Sequence, residues 1–188
     1  MLISAGEHTI KLDAWQTKRE LACSLSSCDV GSILLGDDTD EARQFYSVVV
    51  YLKWPTTSGA SFGVGICSEG HGLTPHLLVG SNTDLLIFGF NSEVIGISIE
   101  EKRPRFRIDL DYLFNSFIHL KKEQTILALH EIGVVALTED GHERWRYSKD
   151  VIGGLTIEKT TLILNFVDSP PVSLDLTSGQ VIGTQPRA

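Results

Sequence analysis

Two stretches of the chain gather side chains able to do chemistry. Cys67-x-x-x-His71-x-x-x-x-His76, with Glu69 inside it, offers thiol, imidazole and carboxylate at a loosely zinc-like spacing. Zinc wants four ligands, each steadied by outer hydrogen bonds. A loop that happens to hold two histidines is the plainer reading. Gly36-Asp37-Asp38-Thr39-Asp40-Glu41 concentrates oxygen ligands of the kind calcium takes. It lacks the glycine and the later glutamate of a calcium-binding helix-loop-helix. Acids at a helix N-terminus, favoured by the helix dipole, explain it as well. Asp37, Asp38, Asp40, His71 and His76 are the weak binding candidates, and no residue set reads as catalytic or as a resident metal site.

The remaining reactive residues are scattered. Cys23 and Cys28 have no further zinc ligands near them, and three cysteines at these spacings do not form a secreted disulfide framework. They read as structural thiols. His119 and His130 lie within apolar patterns, and His142 lies in a turn. There is no Gly-x-Ser-x-Gly elbow and no phosphate-cradling loop with lysine. Gly63-Val64-Gly65 is too short for a dinucleotide fingerprint. Lys102, Arg103, Arg105 and Arg107 alternate with other residues, which reads as the solvated face of a strand.

The elements that must position these residues repeat. Ser81–Ile97, Lys121–Leu137 and Glu158–Leu174 align over 17 positions without a gap, at offsets of 40 and 37. Matching columns share chemistry: Leu86, Ile126 and Ile163; Ile87, Leu127 and Leu164; β-branched Ile95, Val135 and Val172. Gly96, Ala136 and Ser173 are all small, which predicts close backbone approach at that point. Turn formers separate the apolar runs: Asn91-Ser92, Glu131-Ile132-Gly133 and Asp168-Ser169-Pro170. Each unit then turns into a third strand, through Asp140-Gly141 in the second unit and Ser178-Gly179 in the third. Phe106 falls where Trp145 falls. A further strand leads into each unit: His76–Val79, Ser116–Leu120 and Gly153–Ile157.

Ala136-Leu137-Thr138-Glu139-Asp140-Gly141-His142-Glu143-Arg144-Trp145 resembles the repeat of quinoprotein-type (PQQ-like) β-propellers. Leu174-Asp175-Leu176-Thr177-Ser178-Gly179-Gln180-Val181-Ile182 resembles it too, with Gly183 in place of the usual tryptophan. The resemblance covers roughly residues 77 to 185. It implies four-stranded antiparallel blades, about three of them, too few to close a ring. The quinone cofactor of that family needs a full ring with a central acid and calcium, so no cofactor is carried over.

Residues 1–76 show no clean repeat but read as a β-rich portion beside the repeats of 77–188. Thr9–Ala14 alternates, Ser47–Trp54 is a strong β run, and the glycines of Ser61–Ile66 suggest a bend or bulge. The one helix expected spans Thr39–Phe45, capped by Asp38 or Thr39. Ser68–Pro75 reads as a loop joining the two parts.

The expected class is therefore all-β: propeller-like blades plus an N-terminal β-rich portion, an incomplete propeller. Charge narrows the function. The 188 residues carry a net charge of −8, which argues against nucleic acid as partner. No basic leader and no apolar run near the ~18 residues of a membrane span is visible, so cytoplasm is the default. The reading is a non-enzymatic protein-interaction or regulatory module, of the immunity-protein kind. Its partner is another protein with a basic face, or a second copy in a homo-oligomer. The alternative is a metal or small-ligand binder, or a hydrolase, using a cleft between the N-terminal portion and the repeats.

Overall fold

The computed structural model describes the chain except for residues 1, 6–7, 37–42, 53–59, 72, 82–83 and 185–188. It is all-β, built from one five-stranded sheet and three four-stranded sheets. The five-stranded sheet comprises β1 (Leu2–Ala5), β2 (His8–Trp15), β3 (Ser32–Leu35), β4 (Gln44–Tyr51) and β5 (Ser61–Ser68), with α1 (Lys18–Ser26) between β2 and β3. Its order is β1-β2-β4-β5-β3, with β3 parallel to β5 and the other pairs antiparallel.

The other three sheets are simple meanders in chain order. The first holds β6 (His76–Val79), β7 (Leu85–Phe90), β8 (Glu93–Ser98) and β9 (Arg103–Asp109). The second holds β10 (Phe114–Leu120), β11 (Thr125–His130), β12 (Gly133–Leu137) and β13 (Glu143–Ser148). The third holds β14 (Ile152–Glu158), β15 (Thr161–Phe166), β16 (Val172–Asp175) and β17 (Val181–Thr184). Contacts divide the chain into two compact units, Met1–Asn91 with Ile95–Arg107, and Ser92–Val94 with Ile108–Ala188. Division by sheet at residue 76 and division by packing therefore fall at different places. The first meander shares its core with the five-stranded sheet: Ile10, Val48, Val50, Phe62, Val64 and Ile66 pack with Leu86, Phe88, Phe90, Ile95 and Ile97.

The helix stands elsewhere than expected. Gln44 and Phe45, assigned to a helix over 39–45, begin β4 and pair with β5; the rest of that segment lies mostly outside the described residues. The strand wins because β4 is paired along its whole length with β2 and β5, and Phe45 joins Leu21, Leu25 and Cys67 in a small core. The helix among the described residues, α1, is nine residues long. Its start is a capping box: the Glu20 N–H donates to Thr17 Oγ1 at 3.2 Å, and the Thr17 N–H donates to Glu20 Oε2 at 3.0 Å. The glycines of β5 make no bulge, since β5 pairs with β4 in continuous register. They let α1 lie close: side chains at Gly63 and Gly65 would meet Leu25, Cys28 and Leu34.

In the second unit, register explains the column of small residues. Leu127, Ala136 and Trp145 are cross-strand partners in one row. Ala136 leaves room for the indole beside it, and Phe106 lies likewise against Gly96. Trp145 reaches from the second meander to the third. Its Nε1–H donates to the Leu176 carbonyl at 3.0 Å, and its ring lies over Gly179, whose φ is +69°. Leu127, Leu129, Val134, Ala136 and Trp145 form one core with Leu162, Leu164, Phe166, Val172 and Leu174.

The third repeat departs from a gap-free match. Ile126 pairs with Leu137, and Leu162 with Leu174. The second strands are offset by 37 (137 to 174), but the first strands by 36 (126 to 162). The hairpin of the third repeat holds one more residue, so Leu127 matches Ile163 rather than Leu164. In a strand, a slip of one residue moves every side chain to the other face. Leu162 and Leu164 face the core shared with the second meander, and Ile163 faces away from it.

A methyl at Gly179 would overlap the Trp145 indole and sit at an unfavourable φ. Gly179→Ala should lower stability by about 1–3 kcal/mol in urea unfolding. Gly183→Ala, where a Cβ meets nothing within 4 Å, should change it by no more than about 0.5 kcal/mol. Equal losses would contradict the docking of the indole on this turn.

Candidate interaction surface

The residues singled out for metal or catalysis do not converge. Cys67 is buried against Leu21, Leu25 and Phe45. His71 is exposed in the loop after β5, where its Nε2 lies 2.6 Å from Glu69 Oε2. His76 opens β6 opposite Gly89. Its surface is exposed, yet neighbouring protein strips part of its water and lowers its pKa. Asp37, Asp38 and Asp40 lie outside the described residues. Among the described residues, no three His, Cys, Asp or Glu side chains come together as a metal site. The basic run of β9 lies along an exposed edge, with Arg103 paired to Glu101 and Arg105 to Asp84. No helix among the described residues is long and apolar enough to cross a membrane.

One polar cleft, of about 430 Å³, lies on the five-stranded sheet where α1 stops short of covering it. Lys11, Asp13 and Trp15 of β2 line it, with Ser24, Ser27, Asp29, Tyr51 and Ser61. Its groups largely satisfy one another. Lys11 Nζ sits 2.8 Å from Asp13 Oδ2, and the Asp29 carboxylate accepts from the Ser61 N–H and hydroxyl at 3.1 and 2.9 Å. Neither His71 nor His76 lines it.

The second meander holds a buried histidine. His130 is 1% exposed, its ring stacks on Tyr112 at 6.3 Å, and its Nδ1 has no hydrogen-bond partner among the described residues. Burial lowers its pKa; Asp111 opposes the shift and Arg146 adds to it. Arg146 meets the Glu143 carboxylate through Nε and a terminal nitrogen at 3.0 and 2.6 Å, and Asp111 through the other terminal nitrogen at 3.0 Å. That fork holds the segment before β10 against β13. His119 Nε2 lies 2.7 Å from Glu139 Oε1, and His142 is exposed in its turn.

The third meander differs from the second on one face. Ile163, Ser173 and Gly183 form the row matching Leu127, Ala136 and Trp145. The matched row of the second meander is buried. Ile163 and Ser173 are only half-buried, and Gly183 is exposed. A groove of about 530 Å³ runs there, floored by these three residues and flanked by Ile182, with Glu158 and Lys159 at its rim. Val181 and Ile182 on the outermost strand are 50% and 59% exposed. Sequence reasoning marked Gly183 as the missing tryptophan but placed Ile163 in the wrong column, and so missed the face it lies on.

No family model matches the chain, and no curated protein matches it. Among solved structures, it is similar to one described as the crystal structure of the computationally designed Ika4 protein. The identity is 13% and the TM-score 0.45, over 63% of this chain and 76% of that one. A likeness of that size carries no argument here.

The folded pKa of His130 lies below its ordinary 6.5. The folded form therefore takes up fewer protons than the unfolded form as pH falls. The stability concerned is complete above pH 6.5 and is lost as pH drops from 6.5 toward the folded pKa. His130→Phe places at this position the residue found at the matched Phe90 and Phe166. Urea midpoints between pH 7 and 5 should fall less steeply for that variant than for the wild type; parallel curves would contradict a buried neutral imidazole.

Proposed function

We propose that the chain is a non-enzymatic protein-binding module of the cytoplasm, built from propeller-type blades, and that the open face of its third meander is the binding surface. One observation carries this reading. The row Ile163–Ser173–Gly183 lies open, whereas its counterpart Leu127–Ala136–Trp145 is packed into a core. Repeat sheets bury their faces against neighbours, and a face left unburied is free to take a partner. Half-buried Ile163 beside exposed Ile182 is a surface on which a partner gains by excluding water.

The meander order of the three four-stranded sheets and the aromatic residue laid over a glycine turn support the propeller-type reading. The scattered histidines support a binding role, since no nucleophile, base and orienting group meet at hydrogen-bond distance among the described residues.

The native partner can be isolated on the wild-type chain, purified, and its affinity measured for two variants. Ile163→Lys places a charge on the open row and should weaken binding at least tenfold while leaving the melting temperature within a few degrees. His71→Ala should bind as the wild type does. Loss of binding in His71→Ala with full binding by Ile163→Lys would move the site to the loop after β5 and end this proposal.

A further inference from the structure

We propose that the partner docks by adding an extended strand to β17, and that this strand is basic and seats one bulky apolar side chain over Gly183. The inference rests on the reading that the third meander binds protein, and it names the mode of binding and the chemistry of the occupant.

The outermost strands of the three meanders are not alike. An edge strand offers unpaired N–H and C=O groups to any passing chain, and proteins blunt such edges with charge and proline. β9 carries exposed Arg103, Pro104, Arg105 and Arg107. β13 carries exposed Glu143, Arg144 and Arg146. β17 reads Val181-Ile182-Gly183-Thr184, with neither charge nor proline. Its edge is left open where the other two are blunted, and its apolar side chains lie half exposed. Strand addition uses such an edge: main-chain hydrogen bonds supply affinity, and a pocket for an alternate side chain supplies specificity.

The pocket is present. Trp145 fills the place beside Ala136 in the second meander. The equivalent place beside Ser173 belongs to Gly183, around which a Cβ would meet nothing within 4 Å. The groove over Ile163, Ser173 and Gly183 is the vacancy left by the missing ring, and the ring must come from the occupant. A second copy of this chain does not fit. Its own β17 brings another Gly183 and no bulky side chain, and it brings a second charge of −8. Glu158 and Lys159 at the rim offset each other, so the charge of the whole chain sets the preference for a basic partner.

The test uses the full chain and two capped eight-residue peptides, each alternating valine with a charged residue around a central tryptophan. One carries lysine, the other glutamate. The lysine peptide should bind and slow amide exchange at Val181–Thr184, and the glutamate peptide should bind at least tenfold more weakly. Gly183→Trp fills the seat with the chain's own ring and should cost at least tenfold in affinity for the lysine peptide. Ile182→Lys blunts the edge and should do the same, which keeps the test valid where Gly183→Trp does not fold. Failure of the lysine peptide to bind, binding without slowed exchange in β17, or undiminished binding by the variants overturns strand addition. Concentration-dependent dimerisation abolished by Ile182→Lys overturns it too, because the occupant is then a second copy. Each of these results leaves the broader reading standing if the native partner still depends on Ile163.

Discussion

Trp145 and Gly179 set the terms on which the second and third meanders pack. The indole needs a small neighbour in its own sheet, which Ala136 supplies, and a turn without a side chain in the next sheet, which Gly179 supplies at a φ of +69°. Its N–H is satisfied by the Leu176 carbonyl, so the polar atom of a large apolar ring is buried without an unpaired donor. Removing such a side chain from a core costs about 3–5 kcal/mol, a large part of the net stability of a domain. The bulky residue, the small residue and the glycine thus form one unit, and the core of Leu127, Leu164 and their neighbours closes around it.

The same rule explains why the third meander looks outward. It keeps the glycine turn and the small Ser173 but has Gly183 where a ring belongs. It can receive the second meander on one face, yet it extends no ring from the other. Asn165 and Ser173 soften that face with polar groups. Ile163 and Ile182 leave apolar surface on it.

Much of the fold was legible in the residues. The aliphatic columns mark the hairpins of all three meanders; the small column suggests close backbone approach, whereas the space is taken by the rings of Phe106 and Trp145. What misled was local. The extra residue in the hairpin between Phe166 and Val172 is invisible when leucine and isoleucine occupy the two faces of β15, so the third repeat slips by one place. The capping box Thr17-Lys18-Arg19-Glu20 is the signal that marks α1, while the carboxylates at 37–41 lie outside the described residues. The glycines of β5 suggested a bulge because their cause, the approach of α1, is tertiary. The site was less legible than the fold. His71 and His76 drew attention by residue type, but whether a face lies open depends on what packs against it, and no single column records that.

The account rests on the face of Ile163 and Ser173 being open in the free chain while its counterpart is sealed. Thiol accessibility tests this directly. Ser173→Cys and Ala136→Cys place small reporters at matched positions, and labelling by a maleimide can be followed residue by residue with mass spectrometry. The thiol at position 173 should react at a rate near that of the exposed native Cys23, and the thiol at 136 only as fast as the protein unfolds. Equal protection at both positions would show that this face is covered within the chain itself, and the proposed binding surface would not exist.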